Sequence, residues 1–421
     1  MTVLPGLALR SLWNRRFTAG LSLLSITLAV SLLLGVEKIR TEARDGFHAA
    51  VSGTDLIVGA RASPVQLLLY SIFGIGEPTA NVSWESFERI SAHPLVAWSI
   101  PISLGDSHRG YRVLGTSDAY LQHYRFGEDA ALRIEHGAWL DDLFDAVIGA
   151  EVARTLDYRP GNEIVLAHGS REASSAGDHG DLPFRIAGVL EPTGTPVDRA
   201  VHVSLEAIEA IHLGWEGGVP VRGRSIDAEE ARAAELTPET VTAFLVGLRS
   251  RAAVFQVQQA VNAYPDEALT AILPGVAMQR FLGLVGVAEE ALLLVSMMVV
   301  FVGLAGMMST VLATLSERRR EMAILRSVGA RPGHVFGLLV GEAMALTGSG
   351  ILIGTLVVQG AIAVAGPALE EFAGIRFVPG WPGPRELGLM AAVFAGGTIA
   401  GVVPAILAYR RSLSDGLSLR T

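Results

Sequence analysis

The sequence has no cysteine among its 421 residues and one lysine, Lys38. No disulfide and no thiolate metal site can therefore form. The lone lysine stands in LLGVEKIRTE, and no G-x-x-x-x-G-K-[ST] occurs, so the sequence offers no loop of the kind that cradles nucleotide phosphates. G-x-S-x-G and H-E-x-x-H are also missing, which sets aside the commonest serine-hydrolase elbow and zinc-protease helix. Charge is scarce as well: 18% of residues are charged and 50% hydrophobic. Mean hydropathy is +0.42, the balance of a membrane protein.

The scarcity is concentrated. Residues 17–36, 291–315, 343–369 and 387–409 contain no charged side chain. At about 1.5 Å per residue each can cross a hydrocarbon core roughly 30 Å thick, and the backbone there must be helical to satisfy its own polar groups. The first window follows Arg10, Arg15 and Arg16 but exceeds a signal peptide's apolar run of about 7–15 residues, so it is expected to stay as an anchor. Arginine sets the orientation. Three arginines precede the first window, Arg318, Arg319, Arg320, Arg326 and Arg331 lie between the second and third, and Arg410, Arg411 and Arg420 follow the fourth. Both termini are expected in the cytosol. The net charge of the whole is −9, so the outward part is acidic and argues against nucleic-acid binding.

The expected layout is an interfacial elbow helix over 1–16, spans at 17–36, 291–315, 336–366 and 387–409, a cytosolic segment at 316–335, an outward loop at 367–386 and a cytosolic tail at 410–421. Leu9, Leu12 and Trp13 share one face of the elbow. Residues 37–290 form one large extracytoplasmic insertion. DLIVGA (55–60), EIVLAH (163–168), FRIAGVL (184–190) and VTAFLVGL (241–248) read as strands, and AVFQVQQAVNAY (253–264) places Val254, Val257, Val261 and Tyr264 on one helical face. The fold class is four transmembrane helices with one α+β domain, in two lobes, between the first and second. EKIRTEARDGF and GVAMQRFLGLVGVAEE, just outside the first two spans, are helix-compatible and would continue them as stalks.

LSERRREMAILRSVGARPGHVF (315–336) crowds five arginines and two glutamates between two spans. Met322, Leu325 and Val328 make an apolar stripe, Arg318 and Glu321 are spaced for an ion pair, and Gly329 and Pro332 mark one helix ending and another beginning. Such a helix serves either to fix topology against anionic lipid or to dock a cytosolic protein. This segment resembles the cytosolic segment of the FtsX-like permease family, the membrane subunits of MacB-type ABC transporters. AVIGAEVARTLDYRPGNEIVLAHG and FRIAGVLEPTGTPVDRAVHVSLEAI are similar to that family's periplasmic core domain, and GVVPAILAYRRSLSDGLSLR to its fourth span and tail.

The resemblance implies a coupling helix that receives force from a cytosolic ABC ATPase, with Arg318, Glu321, Met322, Leu325, Arg326 and Gly329 as contacts. ATP and Mg would belong to that partner. MacB carries its ATPase domain ahead of its first span, and only about 16 residues precede the span here, so a separate ATPase subunit is expected. A dimer of permeases, an inner-membrane location, a periplasmic or outer-membrane partner, and export or extraction of an amphiphilic substrate are also implied. A transenvelope regulator of a periplasmic hydrolase is the alternative. DLIVGARASPVQLLLYSIFGIGEPTANV resembles permeases with metal-handling partners, which makes zinc-linked transport a third reading. His168, Asp178, His179 and Asp181 are the candidate ligands, against the plainer reading of a solvated Gly/Ser loop. Gly350 and Gly354, and Gly397 and Gly401, are small-xxx-small pairs suited to close helix packing. Glu342, an acid at the edge of the third span, either reaches headgroup water or an arginine such as Arg331, or bears load from the coupling segment.

Overall fold

The computed structural model describes residues 16–168, 182–213, 215–216, 219–220, 227–315, 330–373 and 379–414. The chain divides into two units: residues 1–42, 286–369 and 377–421, and residues 43–285 and 370–376. The elbow residues Leu9, Leu12 and Trp13 lie outside the described residues, as do Arg318, Glu321, Met322, Leu325, Arg326 and Gly329. So do Asp178, His179, Asp181 and the side chain of His168.

Among the described residues, four helices are long and apolar enough to cross a membrane. They are Arg16–Ala49, Pro274–Leu315, Pro332–Ala373 and Pro384–Ser414. The last three open on proline, which costs a helix nothing at its first position because that N–H has no intrahelical acceptor. Each helix outruns its charge-free window. Beyond Val36, the first is supported by Lys38–Glu42 (2.8 Å) and Glu37–Arg40 (3.1 Å) pairs at helical spacing. The third differs most from expectation: it starts at Pro332 instead of 336, and residues 367–373, expected as loop, are helical. The expected boundary, 366, falls ahead of Pro367 and of the first acids, Glu370 and Glu371. Charge ends a lipid-soluble stretch, but Ala368, Leu369, Glu370 and Glu371 are all good helix formers. Pro404 stands inside the fourth helix, an arrangement that neighbouring helices make tolerable in membranes.

Between the first and second long helices the described residues build an 11-stranded mixed sheet. Its main path uses β1 (Leu56–Ala60), β2 (Val96–His108), β3 (Tyr111–Thr116), β4 (Ile134–Gly137), β5 (Asp145–Ile148), β6 (Phe184–Leu190), β7 (Ala200–Ser204), β8 (Ala243–Leu248) and β9 (Leu269–Ile272). The spatial order is β9-β1-β8-β2-β3-β7-β5-β6-β4. Only β7 with β3 and β6 with β5 run parallel along that path. EIVLAH is two short strands, Glu163–Ile164 on β6 and Ala167–His168 on β2, rather than one. β2 spans both halves, pairing with β8 through Val96–Ile102 and with β3 from Ser103 onward.

Alternation along the central strands decides which core each residue joins. Ile57 and Leu245 face a cluster containing Leu68, Tyr70, Ile100 and Ile102, while Leu56, Val58, Phe244 and Val246 face Val257 and Val261 of helix Val254–Asn262. β1 and β8 are therefore apolar on both faces. A third cluster joins Val113, Ile148, Phe184, Ile186, Val201 and Val203 under helix Leu205–His212, whose first turn is capped by the Ser204 hydroxyl accepting from Ala207 N (3.0 Å).

Candidate functional site

The third long helix is the packing centre of the membrane unit. A Cβ on Gly350 would sit 2.5 Å from Ile26 Cγ2 and one on Gly354 3.0 Å from Val30, so those glycines admit the first helix to backbone contact. The Ser31 hydroxyl donates to the Gly354 carbonyl at 3.3 Å across that seam. On the fourth helix, a Cβ on Gly397 would lie 2.2 Å from Thr347 Oγ1 and one on Gly401 2.4 Å from Ala343 Cβ. Lipid gives helices no hydrophobic reason to associate, so such close approaches supply the dispersion that holds them. Ala343 cannot rotate its methyl away. Gly401→Ala is expected to cost about 1–3 kcal/mol through overpacking, and Ala343→Gly in the same chain to restore most of it. Thermal denaturation of the purified full chain measures both; an unaltered single variant would show that the helices separate freely.

Glu342, one residue before Ala343, is 5% exposed. It is engaged within the protein.

A second cluster, not anticipated from the sequence, lies just beyond the charge-free windows. Glu37 on the first helix is 1% exposed. Arg40 Nη1 donates to Glu37 Oε2 at 3.1 Å, and Arg40 Nε donates to Glu289 Oε2 of the second helix at 3.0 Å. Arg385, at the start of the fourth helix, brings its Nε within 3.1 Å of Glu37 Oε1. That last contact lacks hydrogen-bond alignment, so it is a charge contact only. Two acids and two arginines thus join three helices at one level. The signal was available: complementary charges stand immediately after the first window and before the second and fourth.

In the sheet unit, the far end of the first long helix is fastened by hydrogen bonds to its last carbonyl and to the one after it. Gly127 N donates to Ala49 O at 2.9 Å, and the buried Tyr124 hydroxyl donates to Ala50 O at 3.0 Å. Phe47 meets Phe73 and Phe281 edge-on, with centroids 5.1 and 5.4 Å apart. Burial and the nearby Asp198 charge push the Tyr124 phenol well above its ordinary value, although a hydrogen bond with Thr195 opposes them. It stays a neutral donor. Among the described residues, no group of three His, Asp or Glu side chains is arranged to hold a metal.

The helices and sheet fit what the comparisons find. Residues 19–264 match the MacB-like periplasmic core domain and residues 293–416 the FtsX-like permease C-terminal domain. The chain belongs to the MacB/FtsX-like ABC permease family. The macrolide export ATP-binding/permease protein MacB of Brucella abortus (strain 2308) is 25% identical over 412 residues, covering 96% of this chain and 58% of that protein. The protein of the same name from Nitrobacter winogradskyi is 32% identical over 117 residues, 28% of this chain and 17% of its own length. The chain thus spans 58% of the Brucella relative. Among solved structures, the periplasmic region of MacB from Actinobacillus actinomycetemcomitans is 10% identical with a TM-score of 0.34, over 55% of this chain and 94% of that one.

Proposed function

We propose that this chain is the membrane subunit of a MacB-type ABC transporter in a bacterial inner membrane, with both termini cytosolic and a two-lobed sheet domain in the periplasm. ATP and Mg act on a cytosolic ATPase partner. Its closure pushes on the segment around Arg318, Glu321, Met322, Leu325, Arg326 and Gly329, and the bundle shifts the periplasmic domain of a permease dimer to export or extract an amphiphilic substrate. The observation that carries this reading is continuity: helices Arg16–Ala49 and Pro274–Leu315 run unbroken past their membrane windows. A helix transmits displacement that a loose linker would absorb. The spans themselves are mostly Leu, Val, Ala and Gly, which leaves little polar chemistry for a substrate site at mid-membrane.

Co-purification with a cytosolic ATPase tests the proposal. Arg318→Glu combined with Arg326→Glu reverses two charges on the proposed docking segment, and complex recovery or permease-stimulated ATP hydrolysis is expected to fall about tenfold or more. Unchanged recovery and hydrolysis would reduce the arginines to topological markers. Recovery of a periplasmic hydrolase as the bound partner, with no transported substrate, would favour the regulatory alternative.

A further inference from the structure

The sheet domain has a partly open cavity of about 450 Å³ between the end of the first long helix, helix Pro64–Phe73, the β2–β3 hairpin and the loop before β7. That volume falls within the roughly 300–1,000 Å³ typical of small-molecule sites. Its body is aromatic and aliphatic, with Phe47, Phe73, Tyr120, Leu104 and Leu114 among the walls. The walls are fixed independently of any occupant. Phe47 is wedged against Phe73 and Phe281, and Tyr120 stacks on Tyr124 with centroids 4.8 Å apart. The loop is held by the Asp198 carboxylate, which accepts from Thr193 N at 2.8 Å and Gly194 N at 2.7 Å. An apolar molecule entering would need little reorganisation of the protein.

Four charged residues line the space: Glu77, Asp106, Arg112 and Arg199. Their partners separate them. Asp106 is 5% exposed and already engaged within the domain. Arg199 Nε lies 3.6 Å from Glu151, and its guanidinium sits over the Tyr111 ring. Glu77 stands on the exposed rim. Arg112 differs from all three: the hydrogen bond from its Nη2 goes to a neutral acceptor, the Gly76 carbonyl at 2.7 Å, which positions the guanidinium without cancelling its charge. Its stem is braced by the turn at Gly74, where a Cβ would come within 3.1 Å of Arg112 Cδ. A guanidinium fork held in place retains N–H groups suited to a carboxylate or a similar anion.

We propose that this cavity binds an aromatic molecule bearing a single anionic group, its ring system among the phenyl and phenol walls and its anion on Arg112. The proposal concerns the sheet domain alone and stands or falls separately from the transporter reading, since no ATPase enters the test. Because Phe47 belongs both to the wall and to the first long helix, the occupant rests directly against that helix.

The full chain in lipid nanodiscs is titrated with pyrenebutyrate and followed by fluorescence anisotropy, with empty nanodiscs giving the partition background. Pyrenebutanol and pyrenemethylammonium serve as neutral and cationic counterparts. The expected result is one saturable site that holds the acid about tenfold or more tighter than either counterpart. Arg112→Gln should remove that preference while leaving the alcohol within about twofold. Leu104→Trp, which fills the cavity, should abolish saturable binding of all three. Equal affinities for the three head groups, a preference for the ammonium, no saturation above empty nanodiscs, or acid binding untouched by both substitutions would each overturn the assignment.

Discussion

Arg40→Met is expected to destabilise the membrane unit by about 3–5 kcal/mol, the range for removing one partner from a buried ion pair. The substitution leaves Glu37, 1% exposed, with only the misaligned Arg385 contact, and strips Glu289 of its hydrogen bond from Arg40 Nε. Most of the loss is the desolvation cost of the Glu37 carboxylate, left without a hydrogen bond, rather than the worth of the bridge. Adding Glu37→Gln and Glu289→Gln to Arg40→Met should therefore recover most of the stability, because neutral amides carry no charge to desolvate there. Arg385→Gln should cost less than about 1 kcal/mol, since its side chain is 65% exposed and can rehydrate. Unfolding of the full chain in mixed micelles, read by intrinsic fluorescence, gives all three numbers. A triple variant no better than Arg40→Met would mean that the bridges themselves hold the helices, and that stranded charge is not the main cost.

The cluster also separates what this sequence displays from what it conceals. The four spans were legible because lipid imposes one local rule, no charge for about 20 residues, on each of them. LIVGA, FRIAGVL and AFLVGL were legible as strands because each is a short β-rich run bounded by turn residues. Much of β2 and β3 escaped notice: SIPISLGDSH and YRVLGT mix serine, glycine, proline and charge, and their burial comes from strands distant in sequence. The helical face of Val257 and Val261 was readable, whereas the end of the third helix was not, because charge and helix end do not coincide.

The site followed the same division. The spacing of Gly350 with Gly354 and of Gly397 with Gly401 could be read locally, but their opposite numbers, Ile26, Val30, Thr347 and Ala343, are set only by the fold. Glu37 and Arg385 are 348 positions apart in the chain, and nothing at either position alone announces the contact. Partnership is a property of tertiary structure. The six residues expected to meet the ATPase stand on sequence resemblance and on the helix pattern of Glu317–Val328, and the charge-reversal experiment is their direct examination.

The sheet domain should lose stability on acidification through one histidine. His202, in β7, is fully buried, and its Nδ1 lies 3.1 Å from the Val147 carbonyl. A carbonyl can only accept, so Nδ1 carries the proton and the lone pair is on Nε2, which has no hydrogen-bond partner. Tyr120 and Trp139 rings surround it at 5.2 and 6.2 Å. Burial drives its pKa down to about 4, against an ordinary 6.5, with the Val147 hydrogen bond opposing the shift. Between those two values the unfolded chain takes up a proton that the folded domain refuses, so stability is full above about pH 6.5 and declines as the pH falls towards 4, by about 3 kcal/mol in all. His108, lowered chiefly by burial, adds a contribution of the same sign. His202→Asn keeps a donor near the Nδ1 position while removing the titration. Denaturant unfolding of the full chain at pH 7 and pH 4.5, followed by tryptophan fluorescence, should show the native sequence losing more stability than the variant across that interval. Equal losses would mean that His202 meets solvent or a partner in the folded domain, and that its environment is not the apolar one described.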